Sequence, residues 1–220
     1  MSNKFIGIQR VEYFKKFYPV DRIADDKITS NDVSPSGELL AIVQKDGLNW
    51  LDRFHWGLVP SWAKSTALGS RLINARAESV AQKPSFREAF RHRRCLIPAA
   101  GFYEWAQQKN SKIPVYFKLP NGNPFAFAGL WEIWQKEDKT PTAYKSCTII
   151  TIRARGSVRK VHHRMPAVLK PEVYDTWLDP HNQDIVLLSQ ILKTDIITEF
   201  ISDLTPSTRK ARHRQLSLLE

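Results

Sequence analysis

Arg94-Cys95-Leu96-Ile97-Pro98-Ala99-Ala100-Gly101-Phe102-Tyr103-Glu104-Trp105 decides how the rest of the chain is read. Cys95–Pro98 and Gly101–Trp105 are apolar or aromatic runs too short for helices, separated by small residues and punctuated by Pro and Gly, as strands are. The same grammar continues in Pro114–Leu119, Phe125–Trp131 and Cys147–Ile152. Upstream, the turn residues Asn31–Gly37 lead into an apolar strand, Leu39–Val43, and Asp46-Gly47 reads as a hairpin turn into Leu48–Trp56. Helical spacing appears at the flanks. Gln9–Tyr18 places Val11, Phe14, Phe17 and Tyr18 on one face before Pro19, and Ser85–His92 sets Phe86 four residues from Phe90. Pro171–Leu178 and Asp184–Leu192 also read as helices. Strands in the middle with helices around them predict one α+β domain over residues 1–220, with an antiparallel, barrel-like β core. A doubly wound parallel fold is excluded, and there is no glycine-rich phosphate loop or nucleotide fingerprint.

The 220 residues hold 33 Lys+Arg against 22 Asp+Glu, a net charge of +11. Residues 71–94 contain seven basic and two acidic side chains, 153–170 six basic and no acidic, and 205–215 four basic and no acidic. These three patches exceed the total, so the remainder is net acidic. Clustered charge of this kind suits an anionic partner such as nucleic acid, although three solvated faces that never meet would give the same count. Composition is 42% hydrophobic with seven Trp and eleven Phe, enough for a core. No apolar run approaches the roughly 18–20 residues that cross a bilayer, and the N-terminus lacks a signal-peptide core, so a cytoplasmic protein is expected. Two cysteines, Cys95 and Cys147, cannot form a disulfide framework or a four-ligand zinc site and read as buried strand residues.

Three strings set polar groups among apolar neighbours. In Ile73–Glu78, Asn74 and Arg76 share a face if the segment is extended, an amide and a guanidinium suited to a phosphate or a polarised oxygen; an Arg76–Glu78 pair on a sheet surface is the plainer alternative. In Gly101–Trp105, a carboxylate between aromatics is partly desolvated, which raises its pKa towards general acid–base use, unless an arginine satisfies it. In Val161–Pro166, His162 and His163 lie inside the most basic patch, where histidine serves as a proton shuttle. A metal site is the weaker reading, because adjacent residues in an extended segment face opposite ways and no further ligand lies at the right spacing. Trp56, Trp62 and Trp105 could be core residues or platforms for the bases of a single strand.

Taken together, Trp56–Trp62, Ile73–Glu78, Lys83–Arg87, Arg94–Trp105, Phe125–Glu132 and His162–Pro166 resemble, in that order, the strings of the SRAP family, the SOS response-associated peptidases or abasic-site processing proteins. The resemblance spans about residues 1–180 and implies a single α+β domain with a barrel-like core. In the family the initiator Met is removed to expose an N-terminal Cys, whose amine and thiol trap the ring-opened aldehyde of an abasic site in single-stranded DNA. The resemblance implies catalytic roles for Asn74, Glu104 and His162 and for position 2. It implies DNA contacts for Lys4, Trp56, Trp62, Arg76, Trp105 and Arg164. It implies no cofactor and no metal, and a monomeric bacterial or phage-type protein that joins the nucleoid on DNA damage.

The chain departs from the family at the reacting residue. Where the family begins Met-Cys-Gly-Arg-Phe, this chain has Met1-Ser2-Asn3-Lys4-Phe5. The α-amine of Ser2, with a typical pKa of about 7.7–8, can attack an aldehyde; an unactivated hydroxyl cannot replace the thiol in closing a ring. His163 stands where the family commonly has Asp, and residues 205–220 form a divergent basic tail. Four functions compete: imine formation with abasic DNA, DNA binding without a covalent bond, peptidase activity through Glu104 and His162, and non-catalytic RNA binding.

Overall fold

The computed structural model describes residues 4–8, 11–25, 32–108, 111–135 and 143–204. In chain order the elements are β1 (Phe5–Ile6), α1 (Val11–Phe17), β2 (Arg22–Ile23), β3 (Asp32–Val33), β4 (Glu38–Lys45), β5 (Leu48–Trp56), β6 (Asn74–Arg76), α2 (Arg87–His92) and β7 (Arg94–Ala99). They continue with β8 (Gly101–Gln108), β9 (Ser111–Lys118), β10 (Phe125–Trp134), β11 (Tyr144–Arg153), β12 (Arg164–Pro166), β13 (Val168–Leu169), α3 (Tyr174–Leu178), α4 (Ile185–Thr194) and β14 (Ile201–Leu204). The expected α+β class holds.

Turn chemistry sets the first hairpin. Asp46 and Gly47 take positive φ, 52° and 74°, the turn whose twist matches that of the strands it joins, and Lys45 faces Leu48 across it. From there the antiparallel ladder runs β5–β4–β7–β10–β11. It returns to β5 through two parallel pairs, Ser146 opposite His55 and Cys147 opposite Trp56. This curled ladder is the barrel-like core. Its parallel pairings, of β11 with β5 and β6 and of β2 with β5, were not foreseen from an antiparallel reading. A second sheet is ordered β14-β9-β8-β1-β3.

Aromatic rings join the two sheets. Phe102 of β8 meets Phe125 and Phe127 of β10 edge-on, and Phe5 of β1 packs edge-on against Trp56 and Phe127. Cys95 and Cys147 are buried, as the sequence suggested, and desolvation pushes both thiols up. The helices are modest. The stretch 171–178 divides into a 3-10 turn, Pro171–Val173, and α3. Asp184 caps α4 by accepting from the N–H groups of Val186 and Leu187. No described helix is long and apolar enough to cross a membrane.

Part of the 71–94 charge is structural. The Arg94 guanidinium is buried and gives its N–H groups to the backbone carbonyls of Phe90, Arg91, Trp177, Asp179 and Asn182. Desolvation pulls its pKa down to about 10, and the bonds tie the start of β7 to the ends of α2 and α3. Arg93 pairs with Glu132 at 2.8 Å.

Candidate functional site

Strand alternation delivers the central carboxylate. Along β8 successive side chains change face, so Glu104 follows Phe102 inward and is 0% exposed, while Tyr103 and Trp105 stay partly open. His162 reaches the same place from another direction. It follows the 3-10 turn Gly156–Lys160, and its own N–H is held by the carbonyl of Val158 at 2.9 Å. Its Nδ1 lies 3.6 Å from Oε2 of Glu104. That is longer than a hydrogen bond, a common state for a catalytic pair before substrate tightens it. The same Nδ1 is 3.0 Å from the N–H of Arg164 and 2.9 Å from its carbonyl oxygen. Burial lowers the His162 pKa; the Arg164 carbonyl opposes this, and the neighbouring His163 and Lys112 add to it. Burial thus favours the neutral imidazole over the charged one.

Both groups open onto a cleft of about 1510 Å³, whose other lining residues include Arg76, Trp105, Lys112, Arg153, Arg159 and His163. Register explains why these meet. β6 lies parallel to β11 with Arg76 opposite Thr151, and β12 lies antiparallel to it with Arg164 opposite Arg153. Arg76 of the 71–94 segment thus meets Arg153, Arg155 and Arg159 of the 153–170 segment in one cleft, a convergence that charge counting could not establish. β9 brings Lys112 opposite Gln107 of β8. Lys112, Arg153 and Arg159 were not picked out as site residues. The two arginines were visible only as members of a charged run, and Lys112 gave no signal before the register was known. The third basic patch, 205–215, lies outside the described residues.

Other expected site residues fall differently. Asn74 and Arg76 do share a face of β6, with Ala75 buried between them; Arg76 is exposed in the cleft, whereas Asn74 is half-buried and outside the cleft lining. Glu78 pairs with Arg164 rather than Arg76. Its carboxylate oxygens accept from the Arg164 fork at 2.6 and 3.1 Å. Desolvation works to raise the Glu78 carboxyl, and the Arg164 bonds and charge outweigh it, leaving it below its usual range. The same guanidinium donates to the carbonyl and hydroxyl of Thr151 at 2.6 and 3.1 Å. Arg164 is thus buried and bonded within the protein, and it also lines the cleft.

Trp56 is buried as well. It is 1% exposed, its ring sits against Phe5 and its Nε1 donates to the Ile73 carbonyl at 2.8 Å, so it offers no face for a base. Trp62 is 59% exposed but lies outside the cleft lining. Its loop is pinned where Trp134 donates to the Ala63 carbonyl and Val59 to the Ser146 hydroxyl. Trp105 is half-buried in the cleft wall. Lys4 forms an ion pair with Asp32 at 3.0 Å and lies over the Tyr103 ring, and its carbonyl accepts from Tyr103 N–H. Ser2 lies outside the described residues. Among the described residues no three His, Cys, Asp or Glu side chains gather as a metal site.

Comparison with known proteins identifies the family. Residues 5–201 match the family described as SOS response associated peptidase (SRAP), a longer span than the sequence resemblance suggested. The abasic site processing protein YoqW of Bacillus subtilis (strain 168) is 42% identical over 165 residues, covering 74% of this chain and 73% of that protein. The abasic site processing protein HMCES of Xenopus tropicalis is 30% identical over 151 residues, 59% of this chain and 45% of that protein. A crystal structure of a Bacteroides thetaiotaomicron protein superposes with a TM-score of 0.76 at 25% identity, covering 92% of this chain and 90% of that one. With a family match running nearly from β1 to the end of the described residues, the chain belongs to the SRAP family.

Proposed function

We propose that this protein processes abasic sites in DNA, binding single-stranded DNA in the cleft as a monomer and engaging the lesion's aldehyde through the amine of Ser2 once Met1 is removed. The observation that supports this best is the approach of the buried Glu104 carboxyl group to the His162 imidazole, 3.6 Å apart beneath a basic rim. Two relatives named as abasic site processing proteins support the substrate. β1 runs antiparallel along β8 with Phe5 opposite Phe102 and Lys4 bonded to Tyr103. Lys4, bonded to Tyr103, thus sits beside the residue that precedes Glu104.

The chemistry needs no group beyond the chain and the lesion. The unprotonated amine nitrogen bonds to the aldehyde carbon while the carbonyl oxygen gains a proton, giving a carbinolamine. Loss of a proton from nitrogen and of the hydroxyl as water leaves a C=N bond, and hydrolysis reverses each step. Glu104 and His162 move these protons, and Arg76 and Trp105 hold the neighbouring nucleotides.

A second reading follows from Ser2 itself: without a thiol, the protein shelters the lesion and forms no bond. Incubation with abasic or intact single strands, followed by borohydride, separates the two. An adduct on the abasic strand alone is expected. No adduct with the native chain, while Ser2→Cys gives one, would establish the second reading.

A further inference from the structure

We propose that Glu78 is a positioning residue for His162, acting through Arg164. This rests on reading His162 as a proton-moving residue. Glu78 follows β6, and its carboxylate grips the Arg164 fork with two hydrogen bonds. The inner side of the same guanidinium is bonded to Thr151 on β11. Arg164 is thus fixed both by the turn after β6 and by β11, and it begins β12. Its main chain is what holds the His162 ring: the peptide N–H and C=O of Arg164 lie 3.0 and 2.9 Å from Nδ1. A donor and an acceptor at nearly equal distance serve both protonation states of that nitrogen, so the ring can gain and lose a proton there without turning. Releasing Arg164 frees the peptide that sets this geometry and the 3.6 Å separation from Glu104.

The groups around His162 are Glu104 from β8, Lys112 from β9 and His163 and Arg164 from its own segment; Arg153 of β11 acts on Glu78. Glu78→Ala and Glu78→Gln both remove one negative charge, but the glutamine keeps an acceptor for Arg164. Three readouts follow: the single-turnover rate of adduct formation at saturating abasic strand, affinity for an intact strand, and the His162 titration by NMR, assigned with His162→Gln. For Glu78→Ala the rate falls about 10- to 100-fold, as small misplacements of catalytic groups do, while intact-strand affinity does not weaken. The His162 midpoint moves up towards 6.5 as the ring is freed. Glu78→Gln lies between Glu78→Ala and the native protein.

Loss of a charge acting only through space would move the midpoint down, and that result overturns the proposal. So does an unchanged rate and titration in a Glu78→Ala protein whose melting temperature shows it folded, or a rate loss matched by weaker intact-strand binding. If the native protein forms no adduct, the abasic reading fails and the titration alone decides the role of Glu78.

Discussion

Desolvation sets the chemistry open to Glu104 and His162 before any substrate arrives. Burial disfavours the imidazolium, so His162 gains a proton only below the ordinary histidine value of about 6.5 and remains a base through neutral pH. Adduct formation is therefore expected to rise with pH in two steps, one below 6.5 from His162 and one near 7.7–8 from the α-amine. Single-turnover trapping from about pH 5 to 10 measures both. His162→Gln removes the lower step alone, and Glu104→Gln reduces the rate by about 10²–10⁴-fold, the range of a lost acid–base group. A single step at the amine value in the native protein would show that His162 takes no part. Glu104 was legible because a carboxylate among aromatics is unusual anywhere in a chain, and His162 because a pair of histidines lies inside the most basic run. The burial of Trp56 and Arg164 was not legible, since whether a ring or a guanidinium reaches solvent is settled by what packs on it. Phe5 closes over Trp56, and Glu78 with Thr151 takes up Arg164.

The loop after β5 depends on two glycines. Gly57 has φ 142°, and a Cβ built there would meet the Gly69 carbonyl oxygen at 2.6 Å; a Cβ on Gly69 would meet the Gly57 oxygen at the same distance. Gly57→Ala is expected to cost about 1–3 kcal/mol, the scale of a forced backbone conformation, read as a melting temperature lower by several degrees. An unchanged melting temperature would mean that the loop relaxes freely and does not fix Trp62. Elements with their own turn signals were legible: the Asp46-Gly47 hairpin and the apolar runs of β7, β10 and β11. The strands β1, β6 and β12, of two or three residues each, were not legible. Such segments are extended only because a longer neighbour bonds to them, and parallel pairing to β11 leaves no mark in local periodicity.

At the scale of the molecule, the charge count of +11 resolves into different uses. Arg93 and Arg94 hold helices and strands together, Arg164 anchors β12, and Arg76, Lys112, Arg153 and Arg159 line the cleft. If the last set meets phosphates, the double variant Arg153→Gln/Arg159→Gln should lower the slope of log affinity against log salt by about 1.4 for an intact single strand, roughly 0.7 per contact. An unchanged slope would place the strand elsewhere. The central claim is that the N-terminal amine meets the lesion beside Glu104 and His162, and peptide mapping of the borohydride-trapped adduct tests it most directly. The account predicts the sugar remnant on the α-nitrogen of Ser2, with Met1 absent from that peptide; a remnant on a lysine side chain such as Lys112, or an adduct on a chain that keeps Met1, would contradict it.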